Sequence, residues 1–126
     1  MKQLRVPIIN RIQITGTIVS KPDIIMHPEG DAKLWFDLSC SLDESYAESQ
    51  HLLSSYIPVV AWNSIAKENY YGIENGSYVY VEGALRALCQ KTDDGLVIPL
   101  FEIHATLIEI LRDPPESPKK EGDVPF

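Results

Sequence analysis

The chain has 126 residues, 44% of them apolar, which suits one domain with its own core plus a tail and is too short for two ordinary domains. No run approaches the roughly 20 apolar residues needed to cross a bilayer. The opening MKQLRVPIIN also lacks the apolar stretch and cleavage site of a secretion signal, so a cytoplasmic protein is expected, or one of a host's cytoplasm if the gene is viral. The formal charge of −7 excludes a broadly basic surface: residues 113–126 hold two lysines against four acidic residues, a net −2, and −5 remains on the body. A phosphate-binding site on that body must rest on local cations and on stacking.

Along the chain, Ile12, Ile14 and Ile18 alternate with Gln13, Thr15 and Thr17, a period of two that predicts a strand with one buried face. Gly16 interrupts it and predicts a bulge or a bend, as at a barrel corner. Lys21 to Pro28 reads as a turn and a short extension, and His27 to Gly30 as a turn. In the second strand Leu34, Phe36, Leu38 and Cys40 alternate with Trp35, Asp37 and Ser39, which puts Trp35 on the polar face. Asp43 to Leu53 is polar and reads as a long loop.

The third strand, Tyr56 to Trp62, turns Ile57, Val59 and Ala61 one way and Tyr56, Val60 and Trp62 the other. Pro58 cannot donate to a ladder, so it predicts an edge or a bulge. Asn63 to Tyr71 is the one helical piece, capped by Asn63 or Ser64. After an Asn75-Gly76 turn, Val79, Val81 and Leu85 share one face of a fourth strand, with Tyr78, Tyr80, Glu82 and Arg86 on the other. Cys89 to Gly95 reads as a hairpin turn, and Leu96 to Leu111 as a long last strand. The proline-rich residues after it predict disorder. Five strands with one helix between the third and fourth is the order of an all-β OB-fold, a partly open Greek-key barrel. The expected domains are an OB-fold over residues 1–112 and a disordered acidic tail over 113–126.

Catalytic patterns are missing. His27, His51 and His104 are scattered, Cys40 and Cys89 form no CxxC, and no nucleophile, zinc or phosphate-loop motif occurs, so no enzyme, metal or cofactor is expected. Glu102 and His104 share a strand face and read as a surface pair. The outward aromatics are more informative. Trp35, Tyr56 and Trp62 fall on non-core faces, and bases stack on such rings for about 1–3 kcal/mol each. Lys33 beside Trp35, Arg86 on the fourth strand and Lys91 in the hairpin are the nearby cations. The same rings would equally serve a second subunit or pack on the helix.

Four motifs in order carry a resemblance: NRIQITGTIVSKPD, YIPVVAWNSIAK, ENGSYVYVEGALR and the terminal GDVPF. Together they resemble the bacterial and phage single-stranded DNA-binding proteins over residues 10–111 plus the tip. The resemblance implies an OB-fold that binds single-stranded DNA without reading sequence. It also implies an oligomer, usually a tetramer with a dimer as the alternative, and partners among replication, recombination and repair enzymes at the nucleoid. Tyr56 stands where that family has a stacking tryptophan, Trp62 where it has a stacking phenylalanine, and Tyr46 where the long loop has another tryptophan. Arg86 matches a family arginine.

The departures are as informative. Leu88, Cys89 and Gln90 replace the usual Arg, Lys and aromatic, and Trp35 stands where a polar residue is common. The tail is short, at most about 50 Å when extended. At its tip, Phe126 joins a ring to a terminal carboxylate, Pro125 stiffens the approach after Val124, and Asp123 with Glu121 favours a basic rim, which suits docking into a basic-edged apolar pocket. The alternative is an OB-fold adaptor that has lost DNA binding, favoured if Asp37 and Glu82 lie beside the aromatics. An RNA-binding OB domain ranks behind both.

Overall fold

Alternation along the strands decides what is core. A computed structural model of the chain describes residues 6–40 and 56–115, and in it six strands form one sheet that curls on itself. They are β1 (Ile12–Ile18), β2 (Asp23–Met26), β3 (Ala32–Cys40), β4 (Tyr56–Trp62), β5 (Tyr78–Lys91) and β6 (Val97–Arg112). A short helix α1 (Asn63–Asn69) and a 3₁₀ turn (Tyr70–Gly72) lie between β4 and β5. The five expected strands and the helix are present as an all-β barrel. The addition is β2, where a turn and short extension were expected.

The sheet order is β1-β5-β6-β4-β3-β2, and a further pairing of β1 with β3 closes the ring. One edge of β3 serves two partners, β2 at residues 32–35 and β1 at residues 38–40. The change of partner is possible because β1 bends at Gly16, which faces Cys40 on one side and Val79 on the other. A side chain there would collide with the carbonyl oxygen of Ser39, so the glycine expected at a barrel corner occupies one. Inside the ring, Ile18, Leu34, Phe36, Leu38, Val59, Ala61, Val79, Val81 and Ile103 are essentially sealed from solvent. They come from alternate positions of five strands, as the period of two requires.

Three local expectations are corrected. Pro58 is not on an edge strand: β4 runs between β3 and β6. The proline is tolerated because β6 pairs with β4 at Val59 and Val60 only. The turn expected at Cys89–Gly95 starts later. β5 continues to Lys91, and Thr92 and Leu96 close the loop, with Gly95 at φ 88°. Leu85, expected inside with Val79 and Val81, is 38% exposed. Beyond the Leu85–Ile103 pair, where Ile103 is still in the core, β5 and β6 leave the ring as a hairpin arm whose residues are exposed or half-buried. Asn10 secures the base of that arm like a short extra strand: its side chain donates to the Leu85 carbonyl and accepts from the Leu85 amide, both at 2.8 Å.

The helix is not side-chain capped at its start. Asn63 instead takes a left-handed φ of 51°, which Asn tolerates better than most residues. Its Oδ1 accepts from the Ala32 amide at 3.0 Å. Lys67 donates to the Gly30 carbonyl at 2.8 Å, and Ala66 is fully buried, so α1 lies against the start of β3. Among the described residues no helix is long and apolar enough to cross a membrane.

Candidate nucleic-acid interface

The register between β3 and β4 builds the candidate surface. Leu34, Phe36 and Leu38 face Ala61, Val59 and Ile57 toward the core, so the intervening positions face outward together. These are Lys33 opposite Trp62, Trp35 opposite Val60, Asp37 opposite Pro58, and Ser39 opposite Tyr56. Lys33 Nζ lies 5.4 Å from the Trp62 ring centre and 5.9 Å from that of Trp35. One ammonium is thus shared by two indoles, within the reach of a cation–π interaction. Trp62 is 44% exposed and Trp35 half-buried. Tyr56 is 60% exposed but lies six residues from Trp62 along β4, roughly 20 Å at the usual strand rise.

A second set of side chains reaches the surface through β6. This strand pairs in parallel with β4, placing His104 beside Val60. The His104 ring centre is 6.3 Å from that of Trp62, tilted by 47°. Its Nε2 is 2.7 Å from Glu102 Oε1, and because a carboxylate only accepts, the imidazole N–H donates. Both side chains are 21% exposed. The Glu102–His104 surface pair expected from sequence is therefore real, and it continues the aromatic row. Sequence reading missed its place beside Trp62. The shared face was visible, but the pairing of β6 with β4 brings together distant segments and leaves no local signal.

The remaining expected residues divide. Arg86 faces Glu102 across β5 and β6 and is exposed, so it borders the row. Lys91 lies at the outer end of the arm, opposite Val97, and does not join it. Tyr46 and the tip residues Asp123, Val124, Pro125 and Phe126 fall outside the described residues. Asp37 does share the face of Lys33 and Trp35, whereas Glu82 is engaged elsewhere. The Tyr80 hydroxyl donates to Glu82, and Gln13 Nε2 donates to the Tyr80 hydroxyl at 3.0 Å. That hydrogen bond from Tyr80 holds the Glu82 carboxyl below its ordinary value, and the same bond raises Tyr80. Cys40 and Cys89 are free thiols, and burial pushes Cys40 upward.

Two clefts flank Pro58 and Glu102. One, of about 360 Å³, is lined by Ile25, Lys33, Trp35, Pro58, Val60 and Glu102. The other, of about 440 Å³, lies between β4 and the arm and includes Tyr56, Leu88, Pro99 and Phe101. A row of exposed and half-buried flat rings with cations at intervals and apolar hollows between them suits a flexible anionic chain that carries planar groups.

Residues 9–111 match the family model described as the single-strand binding protein family. The chain belongs to that family. The match covers β1 to β5, β6 up to Leu111, the helix and the whole aromatic row, and it supports the resemblance carried by the three motifs within that span; GDVPF lies beyond it. The chain is also similar to a protein of Chlorobaculum tepidum named single-stranded DNA-binding protein 2. The two are 28% identical over 120 residues, spanning 93% of this chain and 78% of that protein. Within this single-strand binding fold, the tryptophan–lysine–tryptophan cluster and the Glu102–His104 pair occupy one outer face of the barrel. Leu88, Cys89 and Gln90, where cations and an aromatic were missed in the sequence, lie on the arm.

Proposed function

We propose that this chain binds single-stranded DNA without reading a defined sequence, shielding it and bringing replication, recombination or repair enzymes to it. The observation that carries the reading is Lys33 held between the half-buried ring of Trp35 and the exposed ring of Trp62, on a face that Tyr56 and Arg86 extend. Stacking supplies sequence-tolerant affinity, and the few cations supply a salt-dependent part. In this reading residues 1–112 are the binding domain and 113–126 a tail whose Asp123–Phe126 tip docks partner proteins. The protein acts without catalysis or cofactor in the cytoplasm, at the nucleoid or on viral DNA in a host. Exposed Leu96, Val97, Ile98, Leu100 and Phe101 on the arm support assembly into an oligomer, a tetramer ahead of a dimer.

Titration with poly(dT) at low and moderate salt, followed by tryptophan fluorescence, tests the reading. Strong quenching that weakens as salt rises is expected. No quenching at low salt, together with no gel shift, would overturn it. One observation favours a second reading, an adaptor with weak DNA binding: Asp37 sits on the aromatic face of a chain whose formal charge is −7.

A further inference from the structure

The cleft between β2, β3, β4 and β6 has an unusual chemical lining for a surface that meets phosphates. Ile25, Pro58 and Val60 are apolar, Trp35 offers an indole, and the two charged groups are Lys33 and Glu102. Glu102 is held in place, because Oε1 accepts from His104. Among the described residues its Oε2 has no hydrogen-bond partner. Arg86 lies opposite Glu102 on β5, on the same face and exposed, so a strand passing here meets a cation on either side of the carboxylate.

A planar base resting on Trp35 would leave its backbone phosphate near Lys33 and turn its polar edge to Glu102. An ionised carboxylate accepts hydrogen bonds and donates none. Cytosine presents an amino donor at the position where thymine presents a carbonyl oxygen. The first satisfies Oε2, whereas the second sets two acceptors against each other and leaves both without the water they held. We infer that this cleft is a base-selective subsite in which Glu102 favours cytosine over thymine. The inference rests on the single-stranded DNA reading above. It concerns base composition at one position of the bound strand and requires no defined sequence.

The test compares oligo(dC) and oligo(dT) of equal length, at a pH above the imidazole range, by tryptophan fluorescence. It uses the full chain and its Glu102→Gln and Arg86→Gln variants, with folding of each checked by circular dichroism. The natural chain should bind oligo(dC) about fivefold more tightly than oligo(dT), the size of one specific base contact. Glu102→Gln, whose amide donates as well as accepts, should bind both equally. Arg86→Gln, outside the cleft, should weaken both alike and keep the ratio. A ratio that Glu102→Gln leaves unchanged, or a natural chain that does not prefer oligo(dC), overturns the subsite while leaving DNA binding intact. Failure to bind either oligonucleotide overturns the DNA reading and the subsite with it.

Discussion

Replacing Trp62 with alanine should separate the stacking contribution from the phosphate contribution to binding. Trp62 is 44% exposed, so its ring is available to a ligand and its loss opens no internal cavity. A base stacked on an aromatic ring contributes about 1–3 kcal/mol, equivalent to about 5- to 150-fold in Kd. Lys33 also lies over Trp35, 5.9 Å from that ring centre, so its ammonium keeps a support when Trp62 is removed. The slope of log affinity against log salt, about −0.7 per phosphate neutralised on a single strand, should therefore stay as it is. Lys33→Gln should do the opposite, making the slope shallower by about 0.7 for each phosphate it held while leaving the high-salt affinity nearly intact. The assay is fluorescence anisotropy of a labelled oligo(dT) across a salt series, since the indole itself is deleted. Adding Tyr56→Ala to Trp62→Ala should take the loss beyond about tenfold. Natural affinity in the double variant at every salt concentration, with an unchanged melting temperature, would remove the stacking face from the reading.

Other expectations concern the fold that holds this face. Phe36 is 1% exposed at the centre of β3, and Phe36→Ala should cost about 3–5 kcal/mol in urea denaturation. A cost below about 1 kcal/mol would mean that the ring is not packed as described. Gly83 lies where β5 crosses β6, and a Cβ there would fall on the His104 carbonyl, 2.8 Å from its carbon. Gly83→Ala should therefore destabilise by at least about 2 kcal/mol and disturb His104 as well, which denaturation and the His104 ring resonances would report. The Tyr80 hydrogen bond lowers Glu82 from 4.5, so its stabilisation is present above that pH and is lost as pH falls through the lowered folded-state value. Glu82→Gln should flatten the acid limb of a melting-temperature profile, and an identical limb in both proteins would discard the link.

How much of this was legible in the sequence depended on whether the information was local. β3 could be read residue by residue, because Leu34, Phe36 and Leu38 alternate with Lys33, Trp35 and Asp37 and the structure keeps that alternation. Gly16 announced a corner because few other roles suit a glycine inside a strand. β2 was not legible: Ile24, Ile25 and Met26 show no alternation, and the strand forms because it satisfies an open edge of β3. Leu85 was placed inside because a period of two continues unchanged from barrel wall to free arm, so the pattern cannot mark where a sheet leaves its core. For the candidate site, Trp35 and Trp62 are legible because alternation puts large aromatics on non-core faces, and Lys33 because it adjoins Trp35 in the sequence. His104 and the cleft at Glu102 arise from a parallel junction between distant segments, which no periodicity encodes.

That junction has a consequence for the order in which the molecule comes together. β4 and β6 meet at Val59–Ile103 and Val60–His104 alone, and the loop between them contains the helix and all of β5. Contacts that close so long a loop form late, after the hairpins on either side. A chain halted just before that step would have most of its ladders and the Lys33–Trp35–Trp62 cluster but only half of the interface, because Trp62 and His104 would stand on separate flaps. A strand laid across both rings clasps the flaps together and stabilises the closed ring by mass action. Occupancy should therefore slow the breathing of the barrel most at this narrow join.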